Sequence, residues 1–397
     1  MVPNGWKHKA FGEVVKLSKS KYDPKKSTAC FPCIELEHIV QETGQLTGNV
    51  PASNLGSTKN KFKAGDVIFG KLRPYLRKYA QPNFDGVCSS EIWVFSPTKK
   101  IINPYLFQLV QTNQFISEAN KSAGSKMPRA DWGVVSEMIF PLPPLPEQRK
   151  IAKILSTWDN AISTTESLID NSKQQKKALM QQLLTGKKRL LDESGKPFEG
   201  EWEEVKLGQI TEFIKDGTHG THKRYETGVP MLSAANITKN HKICFEGAPF
   251  ISEVDYQKIH AKYEISVGDI LLTVVGTLGR VAIVEKKERF TLQRSVAIIR
   301  ASDGVDNRFL MQLFSSNDFN HLLVRKSNST AQAGVYLGEL AKIKILLPAI
   351  EEQEKIASVL VNADQETELL EQQLADLKQE KKALMQQLLT GKKRVKI

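Results

Sequence analysis

Positions facing one side of a helix return at alternating intervals of four and three along two stretches of this chain. The first series runs Ile151, Leu155, Trp158, Ile162, Thr165, Ile169, Ser172, Lys176, Leu179 and Leu183; the second runs Ile356, Leu360, Ala363, Thr367, Leu370, Leu374, Leu377, Lys381, Leu384 and Leu388. Such spacing is a heptad seam and predicts two long amphipathic helices. Neither stretch contains an internal Pro or Gly, and each stops at a glycine, Gly186 or Gly391, followed by Lys-Lys-Arg. Glycine ends a helix well, and basic residues there suit the helix dipole. From 146 to 184 there are 39 residues, about 58 Å of helix at 1.5 Å per residue. Two equal rods with matched seams are natural partners for each other. Because the linker 190–200 is short, the second half of the chain begins near the far end of the first rod, so the coiled coil is expected to be antiparallel. Polar seam residues (Thr165, Ser172, Lys176, Lys381) make the pair imperfect: either they lie at its edge or a further protein's helices join there.

The two rods are copies. KKALMQQLLTGKKR occupies 176–189 and recurs unchanged at 381–394, and aligning 147–189 with 352–394 gives 24 identities in 43 positions. Elsewhere the repeat is faint. Trp6 and Trp202 open similar phrases, which end in Phe11-Gly12-Glu13-Val14 and Leu207-Gly208-Gln209-Ile210; Gly65-Asp66-Val67-Ile68 matches Gly268-Asp269-Ile270-Leu271; both halves close on an apolar, proline-ended strand, 139–143 and 343–348. A part that must stay constant alternates with a part free to differ.

Within the variable parts, 67–69, 91–95, 270–275, 281–284 and 295–300 are rich in β-branched and aromatic residues between turn signals, and read as strands. The stretches 104–113 and 308–315 read as helices. The expected fold is α+β: a variable domain at 1–143, a constant helix at 144–189, a linker at 190–200, a second variable domain at 201–347 and a second constant helix at 348–394, in a pseudo-twofold repeat.

Charge adds a partner to this outline. The 397 residues carry 56 Lys+Arg against 44 Asp+Glu, a net +12, which points to a polyanion. All of the excess lies in 1–196, with 29 basic and 17 acidic residues; 197–397 has 27 of each. With no signal peptide and no run approaching the ~20 apolar residues of a membrane helix, the chain is expected to be soluble and cytoplasmic. Four cysteines are too few for a disulfide framework, and Cys30 and Cys33 form a lone CxxC without the second ligand pair of a structural zinc site.

Basic residues mixed with aromatic and small polar ones gather in the predicted loops. The first domain has Lys71, Arg73, Tyr75, Arg77 and Lys78, then Lys126 and Arg129; the second has Lys215, Thr218, His219, His222, Lys223 and Arg224, then Arg280, Gln293, Arg294, Lys326 and Gln332. Duplex DNA is read by such a mixture, Lys and Arg neutralising phosphates while Arg, Gln and Thr address base edges. Tests for catalysis are negative. No GxxxxGK[ST] phosphate loop occurs, Asn103-Pro104-Tyr105 lacks the second proline of an amino-methyltransferase NPPY, and His219 and His222 have no HExxH or third metal ligand. Asp216 beside His219 imitates a general-base pair, but no nucleophile accompanies it. The chain is expected to bind and position, holding no cofactor or metal.

Two variable domains, each followed by a constant helix, with PLPPLPEQRKIAKIL at 141–155, PAIEEQEKIASVL at 348–360 and KKALMQQLLTGKKR closing both helices, resemble the specificity subunit of type I restriction-modification systems. GDVIFGKLRPYL at 65–76, CSSE at 88–91 and DGTH at 216–219 are similar to phrases of that family. The second helix departs at its entry, with Ala349-Ile350-Glu351 where the first has Pro144-Leu145-Pro146. The resemblance implies that each variable domain recognises one half of a bipartite target in double-stranded DNA, and that the helices fix the gap between the halves. It also implies a non-catalytic subunit that recruits two methyltransferase subunits, which use S-adenosylmethionine, and two restriction subunits, which use ATP and Mg²⁺. Divergence between the variable halves then means an asymmetric target. For docking the methyltransferase, Asp159, Glu166, Asp364 and Glu371 are candidates because they recur in both helices.

Two other classes of function remain open on the residues alone. A coiled-coil assembly adaptor would bind proteins through its variable domains and show salt-insensitive binding, or none, to DNA. An autonomous nuclease or methyltransferase would be active as the purified chain. The charge also separates the domains: 1–143 has 19 basic and 11 acidic residues, 197–347 has 19 and 18. The first is therefore expected to supply more of the salt-sensitive phosphate grip.

Overall fold

The computed structural model describes residues 3–27, 29–121, 127–327 and 333–397. Two α+β domains alternate with two helices of 39 residues each, Leu145–Leu183 and Ile350–Leu388. Among the described residues no helix is long and apolar enough to cross a membrane. The compact units do not follow the repeat. One comprises Met1–Ser167 with Gln372–Ile397, the other Leu168–Glu371, so each takes one domain and part of both long helices.

In the first unit a four-stranded sheet places Ile92–Pro97 between Val15–Leu17 and Ile68–Gly70, with Tyr79–Ala80 beyond. A five-stranded sheet lies beside it, and Lys7–Ala10 pairs antiparallel with Ile139–Leu142. In the second unit the corresponding four-stranded sheet has Val296–Ala301 between Thr211–Asp216 and Ile270–Thr273, with Val281–Ile283 beyond, and Glu203–Lys206 pairs with Lys344–Leu347. The faint sequence repeat therefore marks a repeat of the two-stranded and four-stranded sheets, while the remaining sheet has five strands in the first unit and three in the second. Strand segments rich in Val, Ile and Phe form the central strands, as their composition predicts.

One helix differs from the sequence reading. The stretch 104–113 is not a single helix but all except the first residue of Asn103–Val110, a break, and the first residue of Asn113–Asn120. The hydroxyl of Thr112 accepts the Phe115 N–H and begins the second helix, a capping bond that a threonine makes in preference to continuing the first.

Both long helices are built into the domain cores. Ile151, Ala152 and Leu155 of the first helix, with Leu388 and Leu389 at the end of the second, share a core with Phe11, Phe95, Tyr105 and Phe115. In the other unit Leu183 and Leu184 join Ile356, Ala357 and Leu360 around Phe309, Phe314 and Phe319. Within each unit the start of one long helix thus meets the end of the other, and the pair runs antiparallel.

Candidate nucleic-acid interface

The constant motifs account for how each domain is held. Glu147, in the first turn of the first helix, is 1% exposed. Its Oε2 accepts from Trp6 Nε1 at 3.0 Å and from Arg394 Nε at 2.7 Å, while Arg394 Nη2 donates to Oε1. Glu352 repeats this in the second unit: Arg189 donates Nε and Nη2 at 2.6 and 2.7 Å, and Trp202 Nε1 donates at 3.1 Å. Each guanidinium also lies 6.0 Å from the centre of the same tryptophan ring. A buried carboxylate is tolerable only with such a bidentate partner and a further donor. The next residue staples the domain. Gln148 donates to the Pro143 and Lys100 carbonyls and accepts from Ile102 N–H; Gln353 donates to the Pro348 and Gly304 carbonyls and accepts from Asp306 N–H. Gly186 and Gly391 turn the chain with φ of 69° and 72°. A β-carbon there would stand 3.4 Å from the Trp202 ring in one case and 2.4 Å from Pro3 in the other. Glu-Gln at each helix entry and Leu-Leu-Thr-Gly-Lys-Lys-Arg at each exit are thus the two halves of one clasp.

The polar seam residues are satisfied inside the chain. Lys381 donates to Asp159 Oδ1 at 2.5 Å and Gln111 Oε1 at 2.9 Å, and Gln108 donates to Asp159 Oδ2 at 2.7 Å. Lys176 and Gln312 hold Asp364 in the same way, at 2.6 and 2.8 Å. Glu166 pairs with Lys378 at 2.7 Å and accepts from Gln45 at 2.9 Å; Glu371 pairs with Lys173 at 2.7 Å. Ser172 and Thr367 hydroxyls meet at 2.9 Å. All four carboxylates expected on a docking face therefore have partners within their own unit, which is one reason for their recurrence. In the second unit Lys173, Lys177, Met180 and Leu184 form one wall of an open groove of about 450 Å³, facing Phe319, Leu322 and Leu346.

In the first domain the loop 71–78 connects two sheet strands and is pinned to a second loop by the Leu72–Arg129 bridge. This brings Lys71, Arg73, Tyr75 and Arg129 to one edge. Tyr75 is 53% exposed, and Arg129 is steadied by Glu91 at 3.0 Å. Two of the candidates are occupied instead: Arg77 donates to Asn113 Oδ1 at 2.5 Å and faces Glu42, and Lys78 donates to the Leu36 carbonyl at 2.6 Å. Lys126 lies outside the described residues.

In the second domain a parallel bridge between Thr218 and Gln293 gathers the DGTH segment against 293–294, where Arg294 N–H donates to the Thr218 carbonyl. Gly217 permits this contact, since a β-carbon would sit 2.1 Å from the Leu292 carbonyl oxygen. Asp216 holds His219 at 2.5 Å, and Thr218 Oγ1 holds His222 Nε2 at 2.8 Å. Lys215 lies over the Tyr263 ring at 4.1 Å, and Lys223 over Tyr225 at 5.5 Å. Arg224 is exposed. The cluster thus joins Lys215, Thr218, His219, His222, Gln293 and Arg294. Arg280 is turned to the Ile237 carbonyl at 3.1 Å, Lys326 pairs with Glu339 at 3.3 Å, and Gln332 lies outside the described residues. Cys33 is buried, its thiol pushed up to about 12 chiefly by desolvation and then by Glu35, so it has the character of a core residue.

Sequence reasoning missed the clasp, although its signal was present: Glu147 and Arg189 recur together at Glu352 and Arg394. A family model described as the type I restriction modification DNA specificity domain matches residues 3–172 and again 199–379. The chain belongs to the specificity subunits of type I restriction-modification systems. It is similar over its whole length to the type I restriction enzyme MjaVIII specificity subunit of Methanocaldococcus jannaschii, with 28% identity and 94% of that protein covered. Over 46% of the chain it is 30% identical to 41% of the EcoDI specificity subunit of Escherichia coli. The fold is shared with the type I restriction-modification S subunit from M. genitalium, at a TM-score of 0.62 and 15% identity over 97% of this chain and 96% of that one. A chain from work on complex assembly and conformational transition of the type I R-M system gives the same TM-score, at 22% identity over 98% and 99%. The specificity subunit is the DNA-specificity component of the restriction enzyme and, by family, is not itself catalytic.

Proposed function

We propose that the domains 1–143 and 201–347 each read one half of an asymmetric two-part DNA site, and that the helices within 144–189 and 348–394 set the spacer between the halves. The observation that carries this reading is the contrast within each unit. The clasp is repeated residue for residue, whereas the candidate clusters lie on different loops, 71–78 with Arg129 in the first unit and 215–222 with 293–294 in the second. Identical readers would select equal half-sites; these two readers differ. Helices of 39 residues, each about 58 Å long, have the reach to space two major-groove readers by a turn of DNA, about 34 Å, or more.

The same reading assigns the chemistry to partners. Two methyltransferase subunits using S-adenosylmethionine dock against the constant helices, and two ATP- and Mg²⁺-dependent restriction subunits join them. Support for docking comes from the open groove along the first helix and from Leu168 and Leu369, which stand 47% and 71% exposed on the two rods. Of the four carboxylates, Glu166 and Glu371 act in docking by orienting the half-exposed lysines they hold, Lys378 and Lys173, while Asp159 and Asp364 support the same faces by fixing Lys381 and Lys176 within the seam.

The test is to map modified adenines in cells that carry this chain with its partner subunits. The expected result is a two-part motif with unequal halves and a fixed spacer. A palindromic or uninterrupted motif contradicts the reading, and salt-insensitive binding to DNA favours an assembly adaptor.

A further inference from the structure

Among the described residues four non-glycine residues have positive φ: Glu42, Arg73, Arg77 and His241. Two of these fall in the single loop 71–78. Arg73 has φ 52° and ψ 61°, and Arg77 has φ 50° and ψ 47°. This left-handed region carries a steric cost for any residue with a β-carbon, and it persists where the surroundings enforce it, commonly at functional sites.

The second unit supplies the control. Its Val275–Gly334 bridge repeats the Leu72–Arg129 bridge. Gly276 N–H donates to the Ala333 carbonyl as Arg73 N–H donates to that of Pro128, at 2.9 and 2.7 Å. Thr273 N–H donates to the Arg280 carbonyl as Gly70 N–H does to that of Lys78, both at 2.8 Å. By this register Arg73 occupies the place of Gly276, with φ 76°, and Arg77 that of Gly279, with φ 80°. The shared backbone path needs a left-handed residue at both places. Glycine meets that need without steric cost in one domain, and arginine is kept against the cost in the other.

The two arginines have different surroundings. Arg77 is tied to Asn113 and Glu42 and fixes the loop. Arg73 is exposed, and its guanidinium has no hydrogen-bond or charged partner among the described residues. Its backbone is held on both sides, the N–H by Pro128 and the carbonyl by Leu76 N–H at 2.9 Å, with Pro74 next in the chain. A flexible lysine on relaxed backbone suffices to grip a phosphate. A planar fork on a pinned backbone suits a directional, bidentate contact.

We propose that Arg73 is a specificity-determining residue of the first domain, directing its guanidinium to O6 and N7 of a guanine in the major groove of its half-site, with Arg77 as the positioning residue. This rests on the reading that the first domain contacts DNA. The test uses Arg73→Gly in the full chain assembled with its methyltransferase subunits. Wild type and variant each select from a pool of random-sequence duplexes, and the bound fractions are sequenced. Glycine suits this backbone, so the melting temperature of the variant should hold or rise. The variant should lose the guanine preference at one position of one half-site, keep the other half-site, and bind the wild-type motif roughly tenfold to a hundredfold more weakly. An unchanged motif and affinity overturn the proposal. A uniform weakening with an unchanged motif and a salt slope lower by about one marks a phosphate contact and also overturns it. A fall in melting temperature overturns the argument from backbone cost. Failure of the wild type to enrich any motif overturns the DNA-contact reading itself.

Discussion

The two compact units agree at the clasps and at the buried Asp–Lys pairs of the long helices, and part company away from them. Glu147, Trp6 and Arg394 match Glu352, Trp202 and Arg189, and the trio Asp159, Lys381 and Gln108 matches Asp364, Lys176 and Gln312. The side braces already differ: Gln45 reaches Glu166 in the first unit, and Lys242 reaches Glu368 in the second. At the loop edges the side chains differ outright, Arg73 and Tyr75 in one, Thr218, His219 and Gln293 in the other. Because each clasp joins the entry of one helix to the segment just past the end of the other, a change at Glu147 must be matched at Arg394, more than two hundred positions away. Constancy follows from that mutual dependence, and freedom follows from its absence in the loops.

The largest way to break the comparison is at the clasps. Arg394→Ala and Arg189→Ala each leave a buried carboxylate without its ion-pair partner, and each should cost about 3–5 kcal/mol in urea unfolding. Replacing both members, as in Glu352→Leu with Arg189→Leu, should cost less than Arg189→Leu alone. Strongly unequal losses in the two units would end the equivalence. Next come the helix exits. Gly186→Ala and Gly391→Ala each place a β-carbon at positive φ, a cost of about 1–2 kcal/mol, and Gly391→Ala should lower the melting temperature further because Pro3 lies in the way. Smallest are Glu166→Gln and Glu371→Gln. Their lysine partners are half exposed, so each change should alter stability by less than about 1 kcal/mol. If these carboxylates orient lysines for docking, capture of the methyltransferase subunit should weaken even so; capture at wild-type strength removes them from the docking surface.

Much of this architecture is legible in the residues because its signals are periodic. The heptad spacing, the stop glycines and the unchanged 176–189 phrase locate both helices, and β-branched runs locate the central strands. The break at Thr112 was hidden, since a capping threonine looks like any other polar residue on a helix. The clasp was hidden for a different reason: Trp6 and Arg394 stand at opposite ends of the chain, and nothing in local spacing joins them. In the candidate loops a count of basic residues could not separate Arg73, whose side chain has no partner among the described residues, from Lys78 and Arg280, whose side chains are spent on the Leu36 and Ile237 carbonyls. Left-handed backbone at an arginine is likewise invisible in sequence. It emerges only against the glycines of the other domain.

In the proposed function the helices space two unlike readers. The decisive experiment removes seven residues from each helix at facing positions, 163–169 with 371–377, and maps the modified adenines again. One heptad is about 10 Å of helix, or about three base pairs of spacer. The same two half-sites should return at a shorter spacing; the original spacer, or altered half-sites, would show that the helices do not set it.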